Sequence, residues 1–166
     1  REKIVDHYDY YYGEKVKSEC VAVTAGASGA FVLALLALFD PGDKVAIMTP
    51  YYPAYINALK ALNIDIVYIE GDPKSSYQPT LEKLKNISNN IKGLVIASPA
   101  NPTGSVIKSD VLKNIANWGK ENNVTIISDE IYHGIEYGKP SETILRYNKN
   151  AIIINSFSKI FCMTGW

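Results

Sequence analysis

The sequence predicts an α/β protein: three layers, α/β/α, around a mostly parallel sheet. Three observations predict it. From residue 20 onward, strand-like and helix-like runs alternate, the order that lays helices on a parallel sheet. The strand-like runs are continuous and rich in Val and Ile rather than alternating apolar with polar, so both faces of the sheet are expected to be covered. The unusual residues all fall where strands end, and open parallel sheets gather ligands beyond the carboxyl ends of their strands.

Taken in order, residues 20–24 read as a short first strand. Ser28 to Phe39, rich in Ala and Leu, is a helix closed by the turn cluster Asp40-Pro41-Gly42-Asp43. Lys44 to Met48 is a strand, Pro53 to Leu62 a helix, and Asp65 to Ile69 a strand. Thr80 caps a helix containing Glu82, Leu84 and Ile87, and the Lys/Asn-rich stretch 83–92 reads as a solvated helix end and loop. Gly93 to Ala97 is a strand. Ser109 to Asn122 is a helix with Val111, Leu112, Ile115 and Trp118 at helical spacing. Val124 to Ser128 and Ala151 to Asn155 are the last two strands.

The totals set bounds. The chain has 166 residues, 47% of them hydrophobic, enough for one domain with a sizeable core. The net charge is +0, so no basic footprint for nucleic acid or an anionic membrane is present. The apolar stretch Ala30 to Phe39 is too short to span a bilayer. Cys20 and Cys162 form no CxxC and are expected to be reduced, core or near-core residues of a cytoplasmic protein. His7 and His133 are expected to be neutral structural residues, and two distant histidines without a Cys cluster make no metal site.

Five strand exits carry the chemistry. Ser156-Phe157-Ser158-Lys159 follows the last strand, placing an amine where it can attack a carbonyl. Gly26-Ala27-Ser28-Gly29 opens a helix; its small residues suit either a phosphate approaching backbone N–H groups or a plain tight turn. It matches neither GxGxxG nor a Walker A loop. Tyr51 and Tyr52, between Pro50 and Pro53, can stack on a flat ring or serve packing. Asn101, between Pro99 and Pro102, can donate to a phenolate-like oxygen or simply form a turn. Asp129, ending a buried strand, needs a cation or several donors; a protonated pyridine nitrogen would serve, as would a capping role. Glu130 is expected to point the other way, while Tyr132 can reach Asp129's ligand. Together these parts describe a pocket for a flat, phosphorylated, nitrogenous ring bearing an aldehyde. Pyridoxal 5′-phosphate has those groups.

Six motifs in order, Thr24-Ala25-Gly26-Ala27-Ser28, Pro41-Gly42-Asp43, Pro50-Tyr51-Tyr52-Pro53-Ala54-Tyr55, Asn101-Pro102-Thr103-Gly104, Asp129-Glu130-Ile131-Tyr132 and Ser156-Phe157-Ser158-Lys159 with Met163-Thr164-Gly165-Trp166, span nearly the whole chain. Asn101 and Asp129 lie 28 residues apart, and Asp129 and Lys159 lie 30 apart. The pattern resembles the large domain of class I/II pyridoxal-phosphate aminotransferases, fold type I. The resemblance implies roles for single residues. Lys159 would carry the cofactor as a Schiff base and move the substrate proton. Asp129 would pair with the ring nitrogen. Asn101 and Tyr132 would bond the ring oxygen, and Tyr52 would stack on the ring. Ala27, Ser28, Ser156 and Ser158 would hold the phosphate. It further implies amino-acid and 2-oxo-acid substrates exchanged in a ping-pong cycle, and a homodimer.

The family's pattern places several parts beyond these residues: an Arg after Gly165-Trp166, a further strand, a small domain with a carboxylate-binding Arg, and an upstream Tyr lent by the neighbouring subunit. Residues 1–166 are therefore expected to be an incomplete large domain, inactive alone. A lyase, decarboxylase or synthase on this fold, or a cofactor-sensing domain of a transcription regulator, would share Lys159 and Asp129.

Overall fold

A computed structural model describes residues 1–87 and 90–165. Residues 88 and 89 of the Lys/Asn-rich stretch, and Trp166 of the last motif, lie outside them. The helices are α1 (Glu2–Tyr12), α2 (Gly26–Leu38), α3 (Pro53–Ala61), α4 (Leu81–Lys85) and α5 (Ser109–Glu121). The strands are β1 (Lys44–Met48), β2 (Asp65–Ile69), β3 (Ile91–Ala97), β4 (Thr125–Asp129) and β5 (Ile152–Ile154). They form one sheet in the order β2-β1-β3-β4-β5, and every neighbouring pair is parallel.

Successive strand residues point to opposite faces, and both faces are apolar here. Val45, Ile47, Val95, Ile127 and Ile154 meet Phe31 and Leu35 of α2 and Tyr55 and Leu59 of α3. Ala46, Met48, Leu94, Ile96 and Ile126 meet Leu84 of α4 and Leu112 and Ile115 of α5. The expected three layers are therefore present. Each fully buried side chain of this kind stabilises the fold by roughly 2 kcal/mol relative to exposure.

Local chemistry sets the helix ends. Pro53 opens α3, where its missing N–H costs nothing. The Thr80 hydroxyl accepts from the Lys83 N–H at the start of α4. After α2 the chain turns through Gly42, whose φ of +86° suits glycine.

Two expectations fail. Residues 20–24 form no strand: Ser18–Cys20 is a 3-10 turn, and the segment beyond joins no ladder among the described residues. Val21 is extended, but Val23 is 61% exposed, so burial does not hold the run against the sheet. Both cysteines are exposed rather than core residues. Cys20 ends the 3-10 turn, and Cys162 sits in the turns after β5 at a φ of 53°. Conversely, no element is expected upstream of residue 20, yet α1 forms there. Its Ile4, Val5, Tyr8, Tyr11 and Tyr12 follow helical spacing, and Tyr8 is buried.

The topology locates the crevice. From β1 the chain passes outward to β2, then crosses back to β3 on the other side. Beyond the carboxyl ends of β1 and β3 lies the opening where such sheets bind ligands.

Candidate active site

Asp129 is the last residue of β4 and is 6% exposed. The Tyr55 hydroxyl of α3 donates to its Oδ2, and the Ile131 N–H donates to its Oδ1 at 3.2 Å. Burial pushes the Asp129 carboxyl up, against the pull of Tyr55, the Ile131 N–H and the charge of Lys159. Burial and the adjacent carboxylate push the Tyr55 phenol well above its ordinary value, so it stays a donor.

Tyr55 was given no role from the sequence. The signal was its spacing: residues 52 and 55 share a face of α3's first turn. Their rings meet edge to face at 5.6 Å. Tyr52 is 41% exposed at the N-cap, leaving its face open. Tyr51 stacks instead on Tyr68 of β2, so the two tyrosines divide between crevice and sheet edge.

From β3, the 98–105 loop brings Asn101, whose Nδ2 donates to the Tyr132 hydroxyl at 3.4 Å. The Asn101–Pro102 peptide is cis. After β5 the exposed Lys159 extends its Nζ over the Tyr132 ring, 5.4 Å from the centroid. Asn101, Tyr132 and Lys159 thus form one string of contacts, and Asp129 stands three residues before Tyr132. The phosphate candidates come from two segments. Ala27 and Ser28 lie in the first turn of α2, which packs against β5. Ala25, the N-cap, offers no side-chain cap, so the first N–H groups of α2 lack intrahelical partners. Ser158 N–H donates to Ser156 Oγ at 3.0 Å. Among the described residues no hydrogen bond joins this pair of serines to Ala27 or Ser28.

Glu130 does point the other way. Its Oε1 accepts from Ser128 Oγ and from the Ile144 N–H, each at 3.0 Å, and burial pushes it up to about 7. Its Oε2 has no hydrogen-bond partner among the described residues. His133 is buried and pushed down to about 4, so it is neutral near pH 7. Its 3.8 Å approach to Glu130 is therefore not an ion pair. No cluster of His, Cys, Asp and Glu fit for a metal occurs among the described residues.

Residues 1–166 match the family described as aminotransferase class I and II. The whole chain is 44% identical to part of a valine–pyruvate aminotransferase of Mycobacterium tuberculosis, covering 43% of that protein. It is 34% identical to part of a probable aspartate aminotransferase of Methanocaldococcus jannaschii, covering 44% of it. The crystal structure of an aminotransferase from Mycobacterium tuberculosis superposes on 99% of this chain with a TM-score of 0.95 at 44% identity, over 43% of its own length. The chain thus spans under half the length of the relatives it matches. It belongs to the class I and II aminotransferase family and has the α/β fold type I of that family's large domain.

Proposed function

We propose that residues 1–166 are the cofactor-binding large domain of a longer pyridoxal-phosphate-dependent aminotransferase, one that moves an amino group from an amino acid to a 2-oxo acid. Asp129 is the observation that carries this reading. It is a buried carboxyl at a strand exit with two neutral donors and no ion pair among the described residues. A pyridinium nitrogen would supply the missing cation, so the residues present fit the cofactor. The relatives named above, both aminotransferases by name, support the reaction class.

When bound, pyridoxal phosphate supplies an aldehyde carbon for a Schiff base and a protonated ring that draws electrons from the substrate carbon. The chain's residues would do the rest. Asp129 holds the proton on the ring nitrogen. Tyr55 fixes one oxygen of Asp129 by donating to it. Asn101 Nδ2 and the Tyr132 hydroxyl donate to the ring oxygen, and Tyr52 covers a ring face. Backbone at Ala27 and Ser28, with Ser156 and Ser158, holds the phosphate. Lys159 Nζ would hold the cofactor and, as a free amine, would be the base that takes up and gives back the substrate's α-proton.

Because amino donor and 2-oxo-acid acceptor would use the same site in turn, the cycle is ping-pong. Full-length enzyme given an amino acid and no acceptor should release about one equivalent of 2-oxo acid per site and stop. Continuous product release without an acceptor would contradict the proposal and favour lyase chemistry.

A further inference from the structure

We infer that His133 is a positioning residue. It clamps the β3 exit to the β4 exit, and so sets the Asn101–Tyr132 pair. The inference rests on the function proposed above for that pair.

His133 Nε2 lies 2.9 Å from the Ser98 carbonyl oxygen, and Nδ1 lies 2.8 Å from the Tyr12 hydroxyl. A carbonyl oxygen only accepts, so Nε2 bears the proton. Nδ1 is then a lone pair, and the Tyr12 hydroxyl donates to it. Each ring nitrogen has one partner of the right kind, which selects a single neutral tautomer. The low basicity that burial gives this imidazole agrees with that state.

Ser98 is held from both sides by the same segment. Its N–H donates to the Asp129 carbonyl oxygen at 3.1 Å, and its own carbonyl accepts from His133. Its hydroxyl accepts from the Ile107 N–H at 3.0 Å, tying down the far end of the loop. Asn101 lies three residues beyond Ser98, and Tyr132 directly precedes His133. The clamp therefore fixes the bases of the two side chains that meet at 3.4 Å. That distance is near the limit for a hydrogen bond, so a small slip of either loop would part them. Tyr12 is the third anchor. It brings α1, distant in sequence, against the clamp, and its own carbonyl accepts from Arg146 Nη2 at 3.4 Å.

A loosened clamp has a spectroscopic consequence. Donors to the ring oxygen stabilise negative charge on it and ease loss of the adjacent proton on the lysine-bound nitrogen. Without them, the pH midpoint of the lysine-bound cofactor's visible band should rise. The test is a pH titration of that band in the full-length protein loaded with pyridoxal phosphate. His133→Leu, which removes both hydrogen bonds, should raise the midpoint by roughly half a pH unit or more. His133→Gln, which restores a donor toward Ser98, should bring it back toward wild type. Tyr12→Phe, which removes one hydroxyl and no bulk, should shift it the same way by less.

A folded His133→Leu protein with the wild-type midpoint would overturn the inference. If that variant does not fold, an unshifted Tyr12→Phe protein would overturn it. If the wild-type protein shows no visible band, the function proposed above fails instead. In that case ¹⁵N NMR of the cofactor-free protein still decides the clamp: His133 must be the neutral, Nε2-protonated tautomer at pH 7, and a charged or Nδ1-protonated ring would overturn it.

Discussion

At the scale of single residues, three side chains of the 129–133 segment face three different demands. Asp129 looks into the crevice, Glu130 into the core and His133 across to Ser98 and Tyr12. Tyr55→Phe removes the hydroxyl that draws the Asp129 carboxyl down, so that carboxyl should rise further. Turnover at neutral pH should fall roughly tenfold or more, and the acid limb of the kcat/KM profile should move to higher pH. An unmoved acid limb would show that Tyr55 does not act through Asp129. Glu130 and His133 are opposed in their linkage to stability. Glu130 rises from 4.5 to about 7, so the fold holds a proton that the unfolded chain releases, and its stabilising effect, full below pH 4.5, is lost as pH climbs to about 7. His133 falls from 6.5 to about 4, so its effect is present above pH 6.5 and is lost as pH drops toward 4. Each amounts to roughly 3 kcal/mol, and the two offset each other between about pH 4.5 and 6.5. Glu130→Gln should leave the His133 slope uncovered. Relative to wild type, its denaturation midpoint should fall progressively from pH 6.5 to 4.5. Parallel curves would contradict the linkage.

At the scale of elements, legibility followed burial. β1 forms at the expected residues because a continuous Val/Ile-rich run has little alternative to the interior of a parallel sheet, and β2, only Ile69 of which is buried, forms at the expected residues as the edge strand paired to it. The expected run at residues 20–24 is no less apolar, but it lies outside the ladder with Val23 exposed. Membership of a sheet depends on a partner strand, which a local pattern does not report. α1 was missed for the opposite reason. Its apolar positions are mostly tyrosines, whose ring packing and hydroxyl bonds to His133 and Asn155 dock it at long range. The site was legible as a set of strand exits, because a parallel sheet gathers those exits at one edge. Tyr55 and the His133 clamp were not: spacing puts Tyr55 on one face with Tyr52, but neither its bond to Asp129, 74 residues on, nor the bonds of His133 to Tyr12 and Ser98 follow from a local pattern. The layers also set a tolerance. A Cβ at Gly93 of β3 would come within 2.8 Å of Phe39 Cε1, where the end of α2 packs on the sheet. Gly93→Ala should therefore destabilise the fold by about 1–3 kcal/mol, read as a lower denaturant midpoint with an unchanged slope. A midpoint equal to wild type would show that Phe39 repacks freely.

At the scale of the whole molecule, one feature organises the chemistry: among the described residues, five parallel strands whose order reverses at β1, with the candidate side chains other than those of Ala27 and Ser28 on their exits or on a helix starting there. β5 is an edge strand, and the segment that follows it carries Lys159 exposed. Family membership makes a cofactor-binding lysine at this place the central claim. Lys159 is also the residue whose role the geometry constrains least, since its amine rests over the face of Tyr132 and makes no hydrogen bond among the described residues. The direct measurement is borohydride reduction of the full-length protein loaded with pyridoxal phosphate, followed by peptide mass spectrometry. The cofactor mass should appear on the peptide containing Lys159 and be absent from Lys159→Ala, whose visible lysine-bound band should also be lost. Attachment to another lysine, or an unchanged band in Lys159→Ala, would contradict the account.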